Sequence, residues 1–477
     1  ITDSQIKVVF LEKNSGISKA TNAGIDISRG EYIVFVDHDD LITVDCLYEL
    51  ALCIDQDNPD MIYSDEDKID EHSRCYSQPH FKPDWSPDSL MSVPCIAHVV
   101  CVRKEILNYT GLLRSEVDGC QDWDLTIRIA EYTQNIKHIP KVLYHWRIIP
   151  QSIASNMEAK PYVLEASKKT RIDAFQRRGL NGVVEPIIGD KTQFRVNYLP
   201  RGNPLISIII PTRDNARILK NCVYSILENT QYLFFEVIII DNGSVESDTI
   251  NYLKEISKHE KVQVVPCDIP FNFSKLSNLG AEQANGEVLL FLNDDTEVIQ
   301  SDWLERMLGY AQLPHIGAVG AQLLYPKEKL IQHAGVINLL SGPAHAFARL
   351  DPSVTHYFYR TKLEYNWIAV TGACLMIEKK KFELIGRFDE GFPVAYNDVA
   401  LCFSALQNGL YNIVCQSVNV YHYESISRGS DYTDEKKRKR LEKDLYNLYS
   451  KFPMYYKYDP FYNVNLHPTK TNFELNL

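Results

Sequence analysis

The chain contains two copies of one pattern. Ser18-Lys19-Ala20-Thr21-Asn22-Ala23-Gly24 matches Ser274-Lys275-Leu276-Ser277-Asn278-Leu279-Gly280, and Gly30-Glu31 matches Gly286-Glu287. Every pair is separated by 256 positions (274 − 18, 286 − 30), with no gap. A repeat of this length means two copies of one domain, because whatever buries the core of one copy must bury the core of the other. The same separation sets Phe35-Val36-Asp37-His38-Asp39 against Phe291-Leu292-Asn293-Asp294-Asp295, so an acidic cluster follows an apolar run twice. Later insertions change the spacing, and Gln121-Asp122 then pairs with Asn397-Asp398, and Tyr144-His145 with Tyr421-His422.

The second copy opens with the apolar run Leu205 to Ile210, a helical stretch near Leu219 to Leu227, and a second apolar run, Phe235 to Ile240. Apolar β-branched runs alternating with helices predict an α/β fold with a mostly parallel sheet covered on both faces. Projecting Pro204 back by the repeat gives position −52 (204 − 256), so the first copy is expected to lack its first strand, helix and second strand. Ile1 in place of Met fits a processed or partial chain.

The expected organisation is a truncated domain at 1–155, a helical and extended linker at 156–203, a complete domain at 204–430, and a C-terminal helix and tail at 431–477. Met157 to Arg178 reads as a helix stopped by Gly179. The aromatic segment Asp459-Pro460-Phe461-Tyr462-Asn463 reads as a tail packing on the domain before it.

With 45% apolar and 23% charged residues, 477 positions can bury more than one ordinary core. A net charge of −12 argues against a general nucleic-acid binder. The dense basic run Lys436 to Arg440 alternates with acids and suits a solvated helix face or contact with an anionic membrane surface. No apolar run approaches the ~18 residues that cross a bilayer, and the first residues are not a secretory signal. Eleven cysteines without metal-ligand spacing suit reduced thiols. A cytoplasmic protein is expected.

The acids carry the chemistry. Asn293-Asp294-Asp295 falls at the carboxyl end of a strand, where open α/β sheets bind ligands. Carboxylates there suit a hard cation, Mg²⁺ or Mn²⁺, together with substrate phosphates. An acidic pair alone also suits a turn or helix cap, and it is the recurrence as Asp37 to Asp40 that favours the cation. Thr212 and Asp214 follow the first strand, and Asp241-Asn242-Gly243-Ser244 follows the second, placed to grip a base or ribose. Lys275 and Asn278 share one helix face and are candidates for phosphate or base contact. Asp398, with Asp122 as its counterpart, precedes a helix as a candidate general base. His422 and His145 each end a strand-like run, as candidate metal ligands or phosphate contacts.

Together the segments Ile209 to Asp214, Asp241 to Ser244, Asn293 to Asp295, Thr371-Gly372-Ala373-Cys374, Phe392 to Asp398, His422 to Gly429 and the Asp459 to Asn463 tail resemble family 2 of the inverting glycosyltransferases, with the GT-A fold. The likeness is nearest to tandem-domain bacterial enzymes of O-antigen and capsule synthesis. That resemblance implies a hexosyl- or deoxyhexosyltransferase taking a nucleotide-sugar donor to a glycan or lipid-linked saccharide, with possible contact at the inner membrane face. By it, Thr212, Asp214 and Asp241 contact the nucleotide, Asp295 and His422 hold the metal, Asp398 is the base, and Thr371 to Cys374 border the acceptor. Asp39, Asp122 and His145 are the first copy's equivalents. Family members often carry a second acid two residues after the base, kept as Asp124 and replaced by Ala400. A sugar nucleotidyltransferase would favour a Gly-rich basic loop where Pro211 to Ala216 stands. A degenerate glycan-binding or scaffold protein is the alternative from another class.

Overall fold

The computed structural model describes residues 3–149, 161–423 and 435–476. Two compact units divide the chain, one of residues 1–196 with 463–466, the other of 197–462 with 467–477.

In the first unit six strands form one sheet: β1 (Tyr32–Phe35), β2 (Leu41–Ile42), β3 (Met61–Asp70), β4 (Tyr76–His80), β5 (Val100–Arg103) and β6 (Ile136–Ile148). Their order is β1-β5-β3-β6-β2, with β4 beside β3. The helix Pro161–Arg178 follows, then a hairpin of β7 (Gly182–Ile187) and β8 (Asp190–Tyr198). Residues expected to begin that helix, from Met157, lie outside the described residues, as do 424–434, which include Gly429.

The second unit's sheet has ten strands: β9 (Ile206–Thr212), β10 (Phe235–Asp241), β11 (Val262–Pro266), β12 (Val288–Leu292), β13 (Thr296–Val298), β14 (Ile316–Leu324), β15 (Ile331–His333), β18 (Asn366–Trp367), β19 (Cys374–Glu378) and β20 (Tyr411–His422). A separate hairpin joins β16 (Val336–Leu339) to β17 (Gly342–His345). From β11 through β10 and β9 to β12 the pairing is parallel, as the apolar runs predict. Past β12 the sheet is mixed, because β19 inserts antiparallel to both β12 and β14.

The repeat persists in topology. The order β12-β19-β14-β20-β13 reproduces β1-β5-β3-β6-β2, with the same sense at every pairing, and β15 lies beside β14 as β4 lies beside β3. One difference is that β12 pairs on its other side with β9, while β1 has no strand there among the described residues.

The glycines register that difference. All seven residues of β9 are buried, and its Ile209 packs so closely on the helix Phe273–Gln283 that a Cβ on Gly280 would lie 2.3 Å from Ile209 Cγ2. A Cβ on the matching Gly24 would meet nothing within 4 Å.

Each copy also fixes its site loop in one way. Asn278 donates from Nδ2 to the Phe388 carbonyl at 2.9 Å and accepts the Phe388 N–H at 3.1 Å; Asn22 does the same to Leu113, at 2.9 and 3.1 Å. These amides saturate backbone groups of the segment leading to Asp398 and Asp122, which is why Asn recurs. In the tail, Asp459 accepts the Asn338 N–H at 2.8 Å and Phe473 stacks on Phe347 with centroids 5.1 Å apart. No described helix is long and apolar enough to cross a membrane.

Candidate active site

A cleft of about 400 Å³ opens in the second unit, and Asn293, Asp295, Thr371, Gly372, Asp398 and His422 line it. Four elements converge there. The β12–β13 turn supplies Asn293 and Asp295, the end of β20 supplies His422, the approach to β19 supplies Thr371 to Ala373, and the first turn of the helix Asn397–Gln407 supplies Asp398.

The ladder between β13 and β20 sets His422 opposite Thr296. Its Nε2 thereby lies 3.0 Å from Asp295 Oδ1 and 3.3 Å from Asn293 Nδ2, while Nδ1 lies 2.6 Å from Gln332 Oε1. With Nδ1–H donated to Gln332, the Nε2 lone pair faces a carboxylate, an arrangement completed by a cation between them. On another wall, Asp398 Oδ2 accepts the Gly372 N–H at 2.8 Å and Oδ1 accepts the Val399 N–H at 2.8 Å. Those two amides aim the carboxylate, as a base needs.

The candidate nucleotide residues collect at the carboxyl ends of β9, β10 and β12. Thr212 Oγ1 donates to Asp294 Oδ2 at 2.6 Å, which ties the end of β9 to the turn after β12. Asp214 Oδ1 accepts the N–H groups of Val245 and Glu246 at 2.8 and 2.9 Å, and its own N–H donates to Ser244 Oγ at 2.9 Å. Asp241 Oδ1 accepts the Ser244 N–H at 3.0 Å. The loops after β9 and β10 are thus tied into one rim. Lys275 is exposed.

Two expectations change here. Asn278 is buried and committed to Phe388, so it does not share a ligand-facing surface with Lys275. Asn242 is buried too, its Nδ2 donating to the carbonyls of Cys267 and Ile269 at 2.9 and 2.8 Å. Both amides build the rim.

The first unit does not bring Asp39 and His145 together. Asp39 Oδ1 sits 3.6 Å from His38, and His145 Nδ1 sits 2.5 Å from Asp67. The cause is register: Ile42 faces Tyr144, whereas the matching Val298 faces Val420. Relative to the Tyr-His match this is a slip of one residue, and one residue flips a side chain to the other face of a strand. Tyr144 takes the inward place, with its hydroxyl 2.6 Å from Asp40. Asp37, Asp40 and His98 instead place ligand-type atoms within 4.8 Å of one another. Burial pushes the carboxyls of Asp37 and Asp122 up, while His98 lowers them. Sequence reasoning missed His98; strand pairing shows it, since Phe35 faces Val100 where Phe291 faces Leu375, which sets His98 at the place of Ala373.

The family description Glycosyl transferase family 2 matches residues 2–102 and 207–385, more than half of the chain. The chain belongs to glycosyl transferase family 2. Among its relatives, the O-antigen biosynthesis protein RfbC of Myxococcus xanthus is 36% identical over 98% of this chain and 36% of its own length. Uncharacterized protein y4gI of Sinorhizobium fredii is 40% identical over 99% of this chain and 52% of its own length. The chain therefore spans about half or less of these relatives. Among solved structures, GalNAc-T7 with UDP, GalNAc and Mn²⁺ has a TM-score of 0.43 at 18% identity, covering 55% of this chain and 52% of that one.

The family's second acid has a clear place in this glycosyl transferase family 2 chain. Asp124 is wholly buried and bound by Arg114, at 3.0 Å from Nε, and by Arg128, at 2.8 Å. It faces no cleft. At the matching positions of the second unit stand Asp389 (114 + 275), Ala400 (124 + 276) and Ser404 (128 + 276), so Asp124 and both arginines that bind it change together. Ala400 carries no carboxylate for such a cluster, and Asp398 keeps its bonds to the Gly372 and Val399 N–H groups.

Proposed function

We propose that the second unit transfers a hexosyl or deoxyhexosyl group from a nucleotide-diphosphate sugar to a glycan or lipid-linked saccharide, with inversion, in cell-surface polysaccharide synthesis. The supporting observation is the placing of Asp295 and His422 in one 400 Å³ cleft with an amide-oriented Asp398. The relative RfbC, an O-antigen biosynthesis protein by name, favours a polysaccharide product.

The donor set fits a divalent cation, since Asp295 offers a carboxylate and His422 an imidazole nitrogen whose opposite nitrogen is tied down. Bound there, Mg²⁺ or Mn²⁺ would neutralise charge on the departing diphosphate. Asp398 takes the proton of the acceptor hydroxyl, and the freed oxygen bonds to the anomeric carbon as the bond from that carbon to the diphosphate breaks. Attack opposite the leaving group inverts the centre. Asp241, Asp214 and Thr212 line the rim for the nucleotide, and Thr371 to Ala373 border the acceptor. The basic helix Glu435–Lys451 suits peripheral contact with an anionic inner membrane face. We assign transfer to the second unit because the first does not assemble Asp39 with His145.

The test incubates the chain with nucleotide-sugars and Mn²⁺ and follows release of the nucleoside diphosphate. Release lost in Asp295→Ala supports the reading; a chain that releases none, with or without saccharide acceptors, overturns it in favour of a glycan-binding scaffold.

A further inference from the structure

Gln332 lies in β15, outside every motif legible in the sequence, and is buried with its Oε1 2.6 Å from His422 Nδ1. We propose that Gln332 is the positioning residue that keeps the proton of His422 on Nδ1 and so directs the Nε2 lone pair toward Asp295, preforming the cation pocket. This rests on the reading of Asp295 and His422 as the cation ligands.

Two further observations support this. An imidazole in the neutral state has one donor and one acceptor nitrogen, and the partner of one nitrogen decides the role of the other. At the Nε2 side stands the Asn293 amide nitrogen at 3.3 Å, a donor that needs Nε2 to accept, so Gln332 and Asn293 select the same tautomer; the Asp295 Oδ1 at 3.0 Å, itself only an acceptor, is matched to that Nε2 lone pair by a cation held between them. Independently, His145 of the first unit also has Nδ1 beside an acceptor, Asp67 Oδ1 at 2.5 Å, although its strand register differs. Nδ1 is therefore held in both copies by unrelated residues. A neutral amide at Gln332 holds the proton without adding a second negative charge beside Asp295.

Gln332→Met keeps the length and volume of the side chain while removing the acceptor, and Gln332→Glu restores an acceptor. The full chain labelled with ¹⁵N-histidine is examined by NMR, and Mn²⁺ affinity is titrated with the metal alone. Expected is a protonated His422 Nδ1 in the wild type, a Mn²⁺ affinity about 10- to 100-fold weaker in Gln332→Met, and recovery to within about 3-fold in Gln332→Glu, with thermal midpoints unchanged. An unprotonated Nδ1 in the wild type, or undiminished Mn²⁺ affinity in Gln332→Met, overturns the role of Gln332 alone. A wild type that binds no Mn²⁺ overturns the cation reading itself and this inference with it.

Discussion

Asp398 Oδ2 and the backbone N–H of Gly372 are hydrogen-bonded at 2.8 Å, which joins the first turn of one helix to the segment entering β19. That bond holds the proposed base on the wall of the cleft. Asp398→Asn keeps an oxygen for Gly372 but cannot take a proton. Transfer is expected to fall by about 10²- to 10⁴-fold with donor affinity unchanged, measured by steady-state kinetics beside nucleotide binding. Equal loss of both would show that Asp398 shapes the pocket rather than the reaction.

Asn278 and Phe388 make the second relationship open to test. Asn278→Ala leaves the Phe388 N–H and C=O without their partner, at about 1–3 kcal/mol for each buried orphan. A lower denaturant midpoint is expected, and Asn22→Ala should behave likewise through Leu113. Unchanged midpoints in both would contradict the clamp.

The two matched glycines should part company. Gly280→Ala drives a methyl against Ile209, with an overpacking cost of about 1–3 kcal/mol. Gly24→Ala meets open space and gains up to about 1 kcal/mol of helix propensity. Calorimetry of both variants decides this, and equal effects would contradict the close packing of β9.

His333 sets a pH slope. Burial, with His345 and His422 adding, holds its imidazole well below the ordinary range. The unfolded chain therefore binds a proton near pH 6.5 that the folded chain refuses, so stability falls as pH drops below that value. One proton corresponds to about 1.4 kcal/mol per pH unit. Urea midpoints between pH 6.5 and 5 should fall less steeply in His333→Gln than in the wild type; equal slopes would contradict it.

Much of this architecture could be read from the repeat, because the match, ungapped through the acidic turn and resumed after insertions at Asp122/Asp398 and His145/His422, fixes corresponding residues before any strand is drawn. It marked the acidic turn, Asp398 and His422, which structure gathers in one cleft. What escaped depended on register and on hydrogen-bond economy. Asn278 and Asn22 recur because they saturate backbone groups, and a motif of polar residues looks the same whether it faces ligand or backbone. His145 matched His422 in sequence, yet a one-residue slip of its ladder turned it to Asp67. Gln332 belongs to no repeated segment, and His98 replaces a small residue, so neither left a signature.

The most direct measurement is donor binding: UDP-, GDP-, dTDP- and CMP-sugars titrated with and without Mn²⁺, in the wild type and in Asp295→Ala. Mn²⁺-dependent binding of one donor is expected, and its loss in the variant. Binding equally tight without Mn²⁺, or unchanged in Asp295→Ala, would contradict it.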